Sequence, residues 1–423
     1  MRVQFKVWLL MTFVGIITLS CSSDNDPVET NEDNSGVPEE PDTPEEVESG
    51  FQACQNGMAG IYPCSGYDLM GHLNLQELTG TDNSIVNDLW GWTDPSDGKE
   101  YVIIGTDILT AFVDISNPEK PIVVGRLESG LPPDMHADIK VYQDHAYIVS
   151  EAEGHGMKVF DLKQLRDVSD HPEDFDATTV YIGFSHAHNL AINEDSGYAY
   201  VIGTDAYEGG THFVNISNSS APVAAGGYTT EEPSHDAQVV SYSGPDAQYT
   251  GREIYVGSHG NEILILDVTN KDEPEIISRQ IYENLGYVHQ GWFTDDQKYF
   301  FLGDELDEIE NSFNTRTLVF DFTDLDDPVL HMEYFGRTAA IDHNGYTQHN
   351  QFFLASYSAG LRVLDISTLE NKEITEIGYF DTLPDTDEPF FGGAWSVYPF
   401  FESGNIAISD MGNGLFIVRK SDP

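Results

Sequence analysis

The chain has 423 residues, 40% hydrophobic and 12% aromatic, which is ample for packed cores and excludes global disorder. It carries 72 acidic against 19 basic residues, a formal net charge of −53. Such a surface repels nucleic acid and anionic headgroups and gathers cations, so no nucleic-acid partner is expected, and an acidic coat also keeps an exported protein soluble.

The N-terminus carries Arg2 and Lys6, then the apolar run Val7–Ser20, too short to span a bilayer with ease and suited to an export signal. It ends at Leu19-Ser20-Cys21, which resembles a bacterial lipobox with Leu one place later than usual. Residues 1–20 are expected to be a lipoprotein signal peptide and Cys21 to take the lipid; an ordinary secretory signal is the competing reading. Ser22 rather than Asp after the cysteine points to passage to the outer membrane. Several acyl chains together hold a protein on a membrane far better than one. Residues 22–50 hold eleven Asp or Glu, no Lys or Arg, and Pro27, Pro38, Pro41 and Pro44. Residues 21–50 are therefore expected to form a disordered, self-repelling tether. No later segment is long and apolar enough to be a transmembrane helix.

Cys54 and Cys64 follow, in a segment spanning 51–70. With Cys21 lipidated they are the last two thiols, and an exported location is oxidising, so a structural disulfide is expected. A two-cysteine metal site is the weaker reading, since such sites draw on more ligands nearby.

Residues 71–420 repeat. One line recurs as Phe-Val-Asp114-Ile-Ser, Val-Phe-Asp161-Leu, Phe-Val-Asn215-Ile-Ser, Ile-Leu-Asp267-Val-Thr, Val-Phe-Asp321-Phe-Thr and Val-Leu-Asp365-Ile-Ser, with a seventh copy, Leu-Phe-Ile417-Val, lacking the Asp. Before each copy stands a strand-like run ending near a polar residue: Asp107, Glu151, Asp205, His259, Asp304, Ser356 and Asp410. Each unit reads as four short strands with turn residues between them, and four strands in about 50 residues make a propeller blade. The last unit stops after its third strand. Gly71–Glu77 is expected to supply the fourth, closing a seven-bladed all-β propeller and removing an exposed edge.

The innermost strand of each blade opens with a polar pair: Asn87-Asp88, His136-Ala-Asp138, His186-Ala-His188-Asn189, His235-Asp236, His289-Gln290 and His343-Asn344, with Trp395 in the seventh. First strands start and second strands end on one face of a propeller, so these groups should converge at one channel mouth. Three uses compete. The groups can brace neighbouring blades, because buried polar atoms need partners. His188, His235, His289 and His343, with Gln290 and with His136 and Asp138 nearby, can bind a divalent metal such as Zn²⁺ or Mn²⁺. Or the mouth can hold an organic ligand against Trp90, Trp92, Trp292 and Trp395. Asp304-Glu-Leu-Asp-Glu-Ile-Glu310 has the oxygen density for Ca²⁺ but not the Gly-punctuated spacing, so a solvated acidic loop is expected there. Asp94-Pro-Ser-Asp97-Gly98 reads as a plain hairpin turn. No phosphate loop, nucleophile elbow or His-Glu-x-x-His helix is present.

Several of these stretches carry a resemblance. Cys54-Gln-Asn-Gly-Met-Ala-Gly-Ile-Tyr-Pro-Cys64, Trp90-Gly-Trp-Thr-Asp-Pro95, His145-Ala-Tyr-Ile-Val-Ser-Glu-Ala152, His235-Asp-Ala-Gln238, His289-Gln-Gly-Trp292, Gly303-Asp-Glu-Leu-Asp-Glu308, Asn314-Thr-Arg-Thr317 and Gly360-Leu-Arg-Val-Leu-Asp365 resemble the choice-of-anchor B family. The likeness runs from about Cys54 to Val418, and the repeat is similar to the LVIVD type. It implies a secreted or surface-held propeller with interchangeable anchors and brings no established reaction. The expected function is a lipid-anchored binding or interaction module at the outer membrane, with an extracellular protein or glycan as ligand. The alternative is a metal-dependent enzyme, a polysaccharide lyase or lactonase, with Glu151, Asp205 or Asp304 as base.

Overall fold

Seven sheets follow one another around a channel, each built on four antiparallel strands labelled A to D from the channel outwards, with extra strands added at the edge of two of them. The computed structural model describes residues 50–230 and 233–422; the expected signal peptide, Cys21 and nearly all of the acidic tether lie outside the described residues. The A strands are Val86–Thr93, Ala137–Tyr142, Asn189–Asn193, Asp236–Ser241, Val288–Phe293, Gly345–Gln348 and Ala394–Tyr398. The B strands are Glu100–Thr106, His145–Ser150, Tyr198–Ile202, Glu253–Ser258, Tyr299–Asp304, Gln351–Ser356 and Asn405–Asp410.

The C strands are Leu109–Asp114, Met157–Asp161, Thr211–Asn215, Ile263–Asp267, Arg316–Asp321, Gly360–Asp365 and Gly414–Lys420. The D strands are Ile122–Glu128, Thr179–Tyr181, Val223–Tyr228, Glu275–Gln280, Val329–Phe335, Thr375–Phe380 and, for blade 7, Tyr67–Leu73. The recurring Asp or Asn closes strand C in blades 1 to 6, and its role is local. Its side-chain oxygen accepts a hydrogen bond from the backbone N–H two residues on, at 2.9 Å for Asp114, 3.0 Å for Asn215, 3.0 Å for Asp267, 2.8 Å for Asp321 and 2.8 Å for Asp365. This Asx turn ends the strand and starts the connection to strand D. A β-bulge then recurs between strands C and D in blades 1, 3, 4, 5 and 6. Bulges bend a strand and sharpen its twist, which a blade needs towards its rim.

The core is not one mass. Seven clusters of buried apolar side chains lie one at each blade–blade interface, such as Phe112 against Phe160 between blades 1 and 2 and Phe301 against Phe352 between blades 5 and 6. Strand alternation aims one face of each sheet at each neighbour, so no blade owns a complete core.

The ring closes as expected: Tyr67–Leu73 pairs antiparallel with Gly414–Lys420 as the outer strand of blade 7. This strand begins at Tyr67, before Gly71, and does not reach Glu77. Leu75–Thr79 is instead a short helix, because Asn74 and Glu77 form a capping box and Gly80 terminates it in the left-handed region. Upstream, Met58–Ala59 and Tyr62–Ser65 form a hairpin that extends the outer edge of blade 6. The expected Cys54–Cys64 disulfide is present, with its Cα atoms 6.0 Å apart. In blade 2 the chain makes a detour between strands C and D. Glu173–Phe175 pairs parallel with Ile122–Glu128 of blade 1 before the chain returns as Thr179–Tyr181.

Candidate functional site

The A strands sort the channel wall into three tiers, the second and third related by strand alternation. The first tier, at the strand starts, is His136, His188, His235, His289, His343 and Trp395 from blades 2 to 7. Their rings touch in sequence, with centroids 5.2, 4.3, 4.5, 4.3 and 4.8 Å apart, and Trp395 returns to His136 at 5.9 Å. The second tier holds Asp88, Asp138, Asn189, Asp236, Gln290, Asn344 and Ser396. The third, two residues further along each strand, includes Trp90, Lys140, Gln238, Trp292, Tyr346 and Tyr398.

Bracing is the business of the second tier. Asp138 accepts from Leu190 N at 2.7 Å, Gln290 from Gly345 N at 3.0 Å and Asp88 from Ile139 N at 3.3 Å, each reaching the next blade. Lys140 sits among them, 2.6 Å from Asp138 and 3.3 Å from Asp88. Burial pushes the Asp88 carboxyl up to about 8.

The histidine tier surrounds a cavity of about 210 Å³ open at the mouth. Glu305 lines it, and Glu151 stands against two of the histidines. Glu151 lies 3.1 Å from His136 Nδ1 and 2.8 Å from His188 Nδ1, and those hydrogen bonds hold its carboxyl far below the usual range. Glu305 lies 3.7 Å from His289 Nε2 and 3.6 Å from His343 Nε2, and burial lifts its carboxyl to about 7. One ligand atom each of His235, His289 and Glu305 lies within 4.8 Å of the other two. Each of two members is steadied from behind: Tyr287 Oη bonds His235 Nδ1 at 3.0 Å, and Tyr357 Oη donates to Glu305 at 3.1 Å. Burial holds His235 and His289 well below their ordinary pKa, which favours the neutral imidazoles, each with one unprotonated nitrogen. Met135, Phe391, Trp395 and Met411 form an apolar rim around this cavity.

The remaining expected site residues separate. Gln290 faces the opposite end of the channel from the histidines, engaged as a brace. Asp205 is exposed and accepts from Ser185 N at 2.7 Å, outside the cavity wall. Asp304 is fully buried and saturated, accepting from Tyr282 Oη, Gly286 N and Tyr287 N at 2.7 to 2.8 Å. The solvated acidic loop expected at 304–310 is corrected by the structure: Asp304, Asp307 and Glu308 are buried around Arg316, itself without exposed surface. Arg316 donates to Asp307 and, at 2.8 Å, to Glu333, and its backbone N–H donates to Glu308 at 3.0 Å. The alternating chain turns Glu305 the other way, into the mouth. The tryptophans also divide: Trp395 stays with the histidines, Trp92 is packed between blades 1 and 2, and Trp90 and Trp292 line the far end.

The sequence profile of the LVIVD repeat matches residues 101–128, 185–230 and 250–280, which are strands B to D of blades 1 and 4 and most of blade 3. No curated protein matches the chain. Among solved structures, the hydrazine synthase of Kuenenia stuttgartiensis is similar at 12% identity and a TM-score of 0.52, over 77% of this chain and 93% of that one. The structure of U3-55K is similar at 9% identity and a TM-score of 0.52, over 80% of this chain and 96% of that one. At such identities the likeness is one of fold alone, a β-propeller; this chain's own LVIVD repeats on that fold fit a binding or interaction module.

Proposed function

We propose that the chain is a surface-held binding module that engages its extracellular ligand through a divalent transition metal at the channel mouth, Zn²⁺ or Mn²⁺ in particular. The lipobox-like Cys21 and the resemblance to the choice-of-anchor B family support an exported, lipid-anchored protein at the outer membrane. The observation that carries the metal is the convergence of His235, His289 and Glu305 in an open cavity. A tetrahedral ion with bonds of about 2.0–2.2 Å spaces its ligands roughly 3.4 Å apart, so the 3.7 Å between Glu305 and His289 needs only a small rotation. Tyr287 and Tyr357 act as the outer partners that such ligands ordinarily have. Three protein ligands leave a position for an oxygen donor of the incoming molecule, and the apolar rim supplies contact area around it.

An enzymatic reading, lactonase or polysaccharide lyase, would rest on Glu151 as base across the mouth. Its two histidine hydrogen bonds favour the carboxylate so strongly that it is a weak proton acceptor, which favours binding over turnover. The test is metal content by mass spectrometry on protein purified without chelator or histidine tag. About one equivalent of metal is expected, lost in the His235→Ala, His289→Ala double variant and reduced in Glu305→Gln while the fold persists. Metal-free protein whose melting does not respond to added Zn²⁺ or Mn²⁺ would overturn the proposal.

A further inference from the structure

The channel's far end carries a second cavity, of about 130 Å³, with a different chemistry. One wall is aromatic. Trp292 meets Tyr346 edge-on at 4.9 Å, and Trp90 meets Tyr346 at 5.8 Å, so the two half-buried indoles are propped by the tyrosine between them. The other wall is acidic. Asp138, Glu194 and Asp236 line it against a single base, Lys140. That lysine is already committed, since its ammonium is gripped by Asp138 and Asp88 and lies 4.8 Å over the Trp90 ring. The channel therefore holds one cation on an indole flanked by carboxylates, built from its own chain. The same elements stand beside it without a cation. Asp236 accepts one hydrogen bond, from the adjacent Ala237 N–H, and no ammonium or guanidinium among the described residues lies within salt-bridge distance of it.

We propose that this end of the channel binds an organic cation, a protonated amine or quaternary ammonium on a small ligand, between the Trp292 ring and the carboxylates of Asp236 and Glu194. An aromatic face attracts a cation through its quadrupole, and partial burial strengthens that attraction because less water competes. Burial lifts the Asp236 carboxyl to about 7, and a cation seated beside it favours the ionised form, which then supplies the opposite charge, while the acidic wall repels anions. A neutral sugar gains the stacking but not the charge. The whole-molecule charge of −53 raises the local concentration of any such cation. The site shares no proposed metal ligand with the mouth, so it stands or falls separately from the function proposed above.

The test is titration calorimetry on the full chain in chelator-containing buffer, with choline and glucosamine as probes and glucose and acetate as neutral and anionic controls. Choline and glucosamine should bind, glucose at least about tenfold more weakly, and acetate not at all. Asp236→Asn should weaken choline binding by at least about fivefold with melting unchanged. Trp292→Leu should weaken it similarly, while Trp292→Phe, which keeps a ring and the packing on Tyr346, should retain part of the affinity. No heat with either cation, glucose binding as tightly as glucosamine, or an Asp236→Asn protein that binds choline unchanged would each overturn the proposal.

Discussion

Asp94 lies in the hairpin turn between strands A and B of blade 1, where it accepts from Ser96 N at 2.8 Å, and it also takes two hydrogen bonds from Arg166 of blade 2, at 2.6 and 2.7 Å. The Arg166 guanidinium, followed by the backbone bond, holds its carboxyl down at about 2. An unfolded aspartate titrates near about 3.9. A folded pKa below the unfolded one stabilises the protein above pH ~4, and this contribution is lost as pH falls through about 2. Asp94→Asn keeps the turn and removes the charge, so its melting temperature should fall by a few degrees at neutral pH and converge with the parent near pH 2. Melting curves across that range check it, and a constant offset at every pH would refute it. In the sequence Asp94 reads only as a turn residue, because nothing local reveals a partner 72 positions away. Glu305 was hidden differently. In blades 2, 5, 6 and 7 the residue after strand B stands at the mouth, which gives Glu151, Glu305, Tyr357 and Met411 at equivalent places. Reading the fifth to seventh repeats one residue early puts Asp304, Ser356 and Asp410 in that position instead. The first-tier histidines need no such phase, since each begins its own strand and the repeat makes them visible.

Elements at the ring's seam show what periodicity does and does not disclose. Blades 1 to 6 repeat an Asx turn after strand C, a signal of turn chemistry that survives divergence because the geometry demands an oxygen two residues before an N–H. The closing strand carries no such marker; its likeness to Gly125–Glu128 identifies the element, but the capping box at Asn74 and Glu77 ends it at Leu73 and its start at Tyr67 has no local signal. Gly71 in that strand has no room for a side chain: an added Cβ would stand 2.2 Å from Pro118 O and 2.9 Å from Pro121 Cδ of blade 1. Gly71→Ala should cost on the order of 1–3 kcal/mol as overpacking against backbone, measurable by denaturant unfolding. The disulfide acts at the neighbouring edge. Cys54→Ser with Cys64→Ser should free the Met58–Ser65 hairpin from blade 6, seen as new proteolytic cleavage between residues 50 and 66. The ring itself should keep its seven interfaces, because none of them is built on that loop alone. Fragmentation throughout the chain would show the hairpin to be essential for closure.

At the scale of the whole molecule, cores shared between neighbours couple every blade to two others. Thermal unfolding monitored by near-ultraviolet circular dichroism and by calorimetry should therefore give one coincident transition over the propeller. Its midpoint should rise between about 0.01 M and 0.15 M salt, as the screening length drops from roughly 30 to 8 Å and self-repulsion of the −53 charge weakens. A midpoint that falls over this range would show that specific ion pairs outweigh the net charge. The closing seam adds a directional property. Tyr67 stands opposite Lys420 and Leu73 opposite Leu415, so the seam's N-terminal and C-terminal ends leave from the same side. A load drawing Tyr67 and Lys420 apart parts the rungs in succession, as a zip opens, while a load along the strands must break them together. A ligand gripping the channel wall spreads tension across several blades, whereas one pulling on the C-terminal strand concentrates it on a single rung.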